Sequence, residues 1–146
     1  MFRHLLLPVD GSPVATRAAK AGVAFARRSG AKLTVYHAIN PLPFGFYASG
    51  ADPEDAVSVQ LERKARAQGE KHVAAIVRAA RAAGVPCESR VEVAVPDEGI
   101  VAYARRRGCD SIFLGSHGYR GLKRLLLGSV ASGVLARANV PVIVYR

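Results

Sequence analysis

Residues 111–131 read SIFLGSHGYRGLKRLLLGSVA, and the order of their parts decides the fold. Ser111-Ile112-Phe113-Leu114 is a short apolar run, Gly115 opens a glycine-rich, cationic segment, and a helical pattern begins at Gly128-Ser129. Strand, glycine loop and helix in that order suit a phosphate. Glycines permit positive φ and close backbone approach. A helix N-terminus offers unpaired N–H groups, and Arg120, Lys123 and Arg124 add positive charge. Taken singly, each glycine is also an ordinary turn residue.

Working outward from this unit, the same alternation recurs along the chain. Leu5–Val9 is a continuous apolar run, as expected of a strand covered on both faces. Ser12-Pro13 then reads as an N-cap with proline at the first helical position. Ala15, Ala18, Ala19, Gly22, Val23 and Ala26 recur at helical spacing up to Gly30. Lys32–Ile39, rich in β-branched and aromatic residues, is the second strand. Residues 41–53 form a mobile loop whose Phe44, Phe46 and Tyr47 either make a lid or partner surface or tuck onto the body.

Val57, Leu61, Ala65, Val73, Ile76, Val77 and Ala80 mark a long amphipathic helix ended by Gly84 and Pro86. Cys87–Val95 is a third strand. Pro96-Asp97-Glu98 opens a third helix and Arg105-Arg106-Arg107 closes it, each charge favoured by the helix dipole. Gly128–Ala138 is a fourth helix with Val130, Val134, Leu135 and Ala138 inward, and Pro141–Tyr145 a fifth strand. The pattern βαβαβαβαβ predicts an α/β fold, a parallel sheet with helices on both faces. Ligands of such sheets sit at the carboxyl ends of the strands, beside the switch in strand order. If strands one and four are neighbours, Asp10 and Gly115 face one crevice.

At 146 residues, half of them hydrophobic, the chain reads as one domain, 1–146, with ample core and little scope for disorder. No apolar run approaches a membrane span, and the run after Met1-Phe2-Arg3-His4 is too short for a signal-peptide core, so a cytoplasmic protein is expected. Cys87 and Cys109 lack ligand-spaced companions and read as reduced structural thiols rather than a disulfide or zinc site. The net charge of +10 makes nucleic acid an alternative partner. Against it, the basic residues are dispersed along water-facing helix positions, and no nucleic-acid module signature is present.

Two familiar phosphate motifs are absent: no GxxxxGK[ST], and no GxGxxG after the first strand. The loop has a different spacing, Gly115-x2-Gly118-x9-Gly128-Ser129. In this the chain resembles the nucleotide-binding branch of the universal stress protein family, whose hallmark is G-x2-G-x9-G-[ST]. The likeness extends to LLLPVDGSPVA, LTVYHAI, DSIFLGSHG and GSVASGVLARANVPVIV. It implies a Rossmann-like, three-layer sandwich of the adenine nucleotide alpha hydrolase-like kind, with strand order 3-2-1-4-5. It also implies bound ATP with Mg2+ or Mn2+ held by the phosphates, and a homodimer through the last strand at Val142, Ile143, Val144 and Tyr145.

Carried across residue by residue, the resemblance puts Pro8 and Asp10 beside the nucleotide and the backbone of Ala38 against adenine. Gly115, Ser116, His117, Gly118, Tyr119, Arg120 and Gly121 would form the ribose and phosphate loop. Gly128, Ser129, Val130 and Ala131 would close the phosphate site, with the Ser129 hydroxyl as donor. Two positions depart from the family pattern: Ala131 stands where relatives often carry a hydroxyl, and Ala94 where many have glycine.

Asp10 either meets the nucleotide or caps the Ser12 region. His117 is a catalytic candidate or a loop hydrogen-bonder, and His37 reads as packed core. One phosphate contact is expected among Arg120, Lys123 and Arg124. Fast phosphoryl transfer needs metal ligands and a positioned base; no residue is assigned as catalytic or as a metal ligand. The preferred reading is an ATP-binding regulator of stress response with at most slow hydrolysis. A true ATPase or nucleotidyl transferase using Asp10 and His117, and a basic nucleic-acid binder, are the alternatives. The bare Val142-Ile143-Val144 edge gives dimerisation a physical motive.

Overall fold

A computed structural model describes residues 1–42, 50, 52, 54–117 and 127–146. Gly118, Tyr119, Arg120, Gly121, Lys123 and Arg124, and the aromatic residues Phe44, Phe46 and Tyr47, lie outside the described residues.

The elements follow in the order β1 (His4–Pro8), α1 (Pro13–Ser29), β2 (Lys32–Ile39), α2 (Ala56–Ala82), β3 (Cys87–Val93), α3 (Pro96–Arg107), β4 (Ser111–Gly115), α4 (Ser129–Arg137) and β5 (Val142–Tyr145). The five strands form one sheet in the order β3-β2-β1-β4-β5, every pairing parallel. Registers such as Leu5↔Leu33 and Leu5↔Ser111 bring the carboxyl ends of β1, β2 and β4 to one rim. Strand order reverses between β1 and β4, so the expected crevice lies where Asp10 and Gly115 both emerge.

Period-two alternation in the strands divides the core into two layers. Leu5 and Leu7 of β1, and Val9 just after it, pack with Val23 and Ala26 of α1 and with Val73, Val77 and Ala80 of α2. Leu6, Tyr36, Ile112 and Leu114 face the other way, onto Ile100 and Tyr103 of α3 and Ala131 and Val134 of α4. Burying such side chains contributes about 1.5–3 kcal/mol each before conformational entropy is set against it.

Helix ends follow their local chemistry. Ser12 caps α1, its Oγ accepting from Ala15 N at 3.1 Å, with Pro13 in the first turn. Gly30 and Gly108 close α1 and α3 with φ of 68° and 64°, a left-handed conformation suited to glycine. Ala94, where the resemblance leads one to expect glycine, needs no such freedom, because positive φ is confined to glycines among the described residues.

Two expectations about which side chains face inward are corrected. Val57 and Leu61 of α2 are 60% and 43% exposed. They precede the point where α2 meets the sheet, near Arg66, whose Nη1 donates to Val91 O at 3.2 Å. On α4, Val130 and Leu135 are 37% and 43% exposed. That helix presents Ala131, Val134 and Ala138 to the core instead, so Val130 and Leu135 fall on either side of the buried stripe.

Candidate functional site

The β1–α1 turn is built from short polar contacts. Asp10 Oδ1 accepts from Ser12 N at 2.9 Å, which is the capping role offered as one reading of that residue. Gly11 carries φ 82°, and a Cβ there would overlap the His72 ring of α2. Beneath the turn, His37 Nδ1 lies 2.9 Å from Val9 O; a carbonyl only accepts, so the proton resides on Nδ1. The two imidazoles sit 6.0 Å apart, with His37 packed where a Cβ on Gly69 would stand. Burial first, opposed by the Val9 hydrogen bond, leaves the His37 pKa below the ordinary histidine value. His37 is thus half-buried packing, as expected, but it also holds the Val9 carbonyl just beyond β1.

The role of His72 escaped the sequence reading. Gly69, a helix-interior glycine that costs about 1 kcal/mol against alanine, marks the close approach of His37 and not of His72.

On the other side of the switch, Ser116 is a hub. Its N–H donates to Tyr145 O at 2.8 Å, its carbonyl accepts from Gly128 N at 2.6 Å, and its Oγ lies 2.9 Å from His117 Nδ1. The chain that leaves β4 at His117 therefore returns to the same residue at Gly128 before entering α4. Gly128 is the N-cap, with φ −72° and ψ 166° and no side-chain cap. The first helix-closing bond runs from Ser132 N to Gly128 O at 2.9 Å, so the N–H groups of Ser129, Val130 and Ala131 have no intrahelical partner. Ser129 and Val130 are exposed, Ala131 is buried, and no acid occupies this first turn.

Positive φ is not what the two outer glycines supply, contrary to expectation. Neither Gly115 nor Gly128 is left-handed. Added at Gly115, a Cβ would lie 3.4 Å from Ala18 and Val14, in ordinary contact.

Pro8, Asp10, Ala38, Gly115, Ser116, His117, Gly128, Ser129, Val130 and Ala131 are thereby distributed over four elements that meet at the sheet's carboxyl rim. Ala38 packs toward the α3/α4 layer and His37 toward α2. No group of three or more His, Cys, Asp or Glu side chains with metal-holding geometry occurs among the described residues. Chemically, the rim offers, among the described residues, α4 amides with no intrahelical partner, an exposed hydroxyl at Ser129 and a carboxylate at Asp10.

Elsewhere, the amino rim is closed on itself. Asp110 accepts from Arg3 N at 2.7 Å and His4 N at 3.1 Å. His4 Nε2 lies 2.8 Å from Thr34 Oγ1, which donates to Glu88 at 3.2 Å. Cys87 and Cys109 are both unbridged, and burial pushes each thiol up to about 11, which keeps them unreactive.

Residues 1–146 match the sequence profile of the universal stress protein family along their whole length. A universal stress protein of Thermus aquaticus is 35% identical, covering 100% of both chains. Universal stress protein MJ0577 of Methanocaldococcus jannaschii is 28% identical, and a solved structure of it superposes with a TM-score of 0.84 over 99% of this chain and 95% of that one. A universal stress protein solved in complex with cAMP, 26% identical, superposes with a TM-score of 0.69 over 99% of this chain and 97% of that one. The sheet order, the spacing that returns Gly128 to Ser116, and the whole-length match lead to one conclusion: this chain belongs to the universal stress protein family.

Proposed function

We propose that the chain is a cytoplasmic, single-domain, nucleotide-binding regulator whose ligand is ATP, held at the carboxyl rim between β1 and β4. The observation that carries this reading is the α4 N-terminus: an uncapped, acid-free first turn with unpaired amides, anchored beside the end of β4. Such a terminus favours an anion through both its N–H groups and its dipole. A relative's complex with cAMP supports an adenine nucleotide as the anion's bearer.

In this reading the phosphates meet the amides of Ser129, Val130 and Ala131 and the Ser129 hydroxyl, while Gly128, whose own amide is held by Ser116 O, closes the site without a side chain in the way. Gly115–Gly121 wraps ribose and phosphate, Ala38 offers its backbone to adenine, and Pro8 and Asp10 line the β1 side. A divalent cation, when bound with ATP, would neutralise phosphate charge. His117, already engaged with Ser116 Oγ, serves as a loop hydrogen-bonder, so hydrolysis is slow and the bound state itself is the output. Ligand at a hundredfold over its Kd adds about 2.7 kcal/mol to folded stability, sufficient to select one assembly.

The reading includes a two-fold dimer through β5. The two sheet edges differ: β3 is blunted by Glu88, Arg90 and Glu92, whereas Val142-Ile143-Val144 bears no charge and is followed by exposed Tyr145.

Titration calorimetry with Mg-ATP tests the site. Gly128→Val combined with Gly118→Val should abolish binding. The Gly128 φ and ψ are open to valine, so circular dichroism should remain unchanged. Unaltered affinity would refute the assignment. Sedimentation as a monomer at micromolar concentration would refute the dimer.

A further inference from the structure

The charge of +10 is unequally divided between the two helical layers. Four basic residues and no acidic one lie on α1, and six basic against two acidic on α2, a net of eight. On the opposite layer α3 and α4 together carry four basic and two acidic residues, a net of two. Pairing differs as well. Beside α3 and α4, Arg90 and Arg106 bind Glu92 at 3.1 and 3.0 Å, Arg107 binds Glu88 at 3.3 Å, and Arg137 binds Asp97 at 2.8 Å. Arg17, Lys20, Arg27 and Arg28 form no ion pair among the described residues.

These four exposed cations occupy an arc of about 100° on α1, opposite the buried stripe, and extend about 16 Å along the axis. Lys20, Arg27 and Arg28 rim an open groove of about 500 Å³, floored by Val23, Ala24 and Ala83. The helix dipole accounts for Arg27 and Arg28 in the last turn. It does not account for Arg17 or Lys20, nor for the lack of any acid on the helix.

We propose that the α1/α2 layer is a docking surface for the sugar–phosphate backbone of nucleic acid, bound without base readout. Charge complementarity selects the occupant. A duplex carries about one negative charge per 1.7 Å, so a row of cations on this scale meets several phosphates at once. A lipid surface is disfavoured because the cationic arc of α1 exposes no large apolar side chain to insert, and the exposed Val57, Val59 and Leu61 lie in the first turns of α2, at the opposite end of that helix from the groove residue Ala83. Base stacking is likewise unprovided for, since α1 exposes no aromatic ring. The groove lies toward the amino-terminal end of the sheet, remote from the rim proposed for ATP.

Fluorescence anisotropy with a labelled duplex of about 20 base pairs, titrated between 50 and 200 mM salt, tests this surface. Four neutralised phosphates contribute about −3.6 to the slope of log affinity against log salt. The variant Arg17→Gln/Lys20→Gln/Arg27→Gln/Arg28→Gln should lose most of that slope and at least about tenfold in affinity at 50 mM. Two double variants remove equal charge from equivalent helix ends. Arg27→Gln/Arg28→Gln should weaken binding several-fold more than Arg105→Gln/Arg106→Gln, with folding of both checked by circular dichroism. Equal losses from the two pairs, an unchanged slope in the quadruple variant, or displacement of the duplex by saturating Mg-ATP would each overturn the proposal. Binding to phosphatidylserine vesicles in preference to the duplex would do the same.

Discussion

The N-termini of α1 and α4 stand side by side at the carboxyl rim, yet they are finished differently. α1 is closed by its own chain: Ser12 Oγ takes the amide of Ala15, Asp10 takes the amide of Ser12, and Thr16 Oγ1 donates back to Ser12 O at 3.0 Å. α4 begins at a glycine with no side-chain cap. A glycine start forgoes only a few tenths of a kcal/mol relative to a serine cap, and it leaves the first-turn amides without a side-chain acceptor. On the proposed function this helix start is a receptor, where its neighbour is a joint.

The comparison breaks most visibly at the opposite rim, where Asp110 is internally paired with the chain entering β1. Asp110→Ala removes two carboxylate bonds to β1 amides and should cost about 2–3 kcal/mol of stability by urea denaturation. ATP affinity should stay unchanged; a parallel loss of affinity would mean that the two rims are coupled.

Next in size is Gly11→Ala, which forces a non-glycine residue to positive φ and drives a methyl into the His72 ring. A loss of about 1–3 kcal/mol is expected. Adding His72→Ala should restore the steric part and leave the conformational part, so a double-mutant cycle gives a coupling of opposite sign to the Gly11→Ala loss. Additive effects would show that His72 does not support the turn.

Smaller still is the cap pair itself. Ser12→Ala should cost about 1 kcal/mol, whereas Gly128→Ser should stabilise the unliganded chain by a few tenths while weakening ATP. Equal stability effects at both sites would erase the distinction drawn between the two helices.

The smallest effect is graded with pH. Burial foremost, then the nearby Lys32, lowers the His4 pKa, and burial lowers that of His37. Both rings are neutral in the fold and more easily protonated once unfolded, so the unfolded state binds more protons. Their contribution is complete above the ordinary histidine value of 6.5 and is lost as pH falls below it. Burial opposes ionisation of Asp110, but the Arg3 and His4 amides outweigh it and hold its pKa below 3.8, so its contribution fades only in stronger acid. The urea midpoint should fall between pH 7 and pH 5, and His4→Gln should flatten that fall. A flat wild-type profile would contradict the assignment.

Much of this was legible in the residues, because the signals were local. The boundaries of α1, β2 and α3 follow directly from Ser12-Pro13, Gly30, the β-branched run of β2, Pro96 and Gly108. Strand order was not local, and came from family likeness rather than from periodicity. Inward faces failed at Val57, Leu61, Val130 and Leu135, since apolar spacing cannot say where a helix overhangs its sheet or how it is rotated. At the site, Asp10, Ser116 and Gly128 were visible as a motif. His72 was not, because its partners at Gly11 and His37 are brought to it by the packing of α2 and by no spacing in the chain.

The bond from Gly128 N to Ser116 O has a bearing on how this protein can diverge. It fastens the ends of residues 118–126 together independently of what lies between them. Doubling the length of such a closed segment costs only about 0.6 kcal/mol in loop entropy. A change in the number of residues between Ser116 and Gly128 therefore carries little loop-entropy penalty, and on the proposed function ligand preference can be rewritten there while the clasp and the sheet remain as they are.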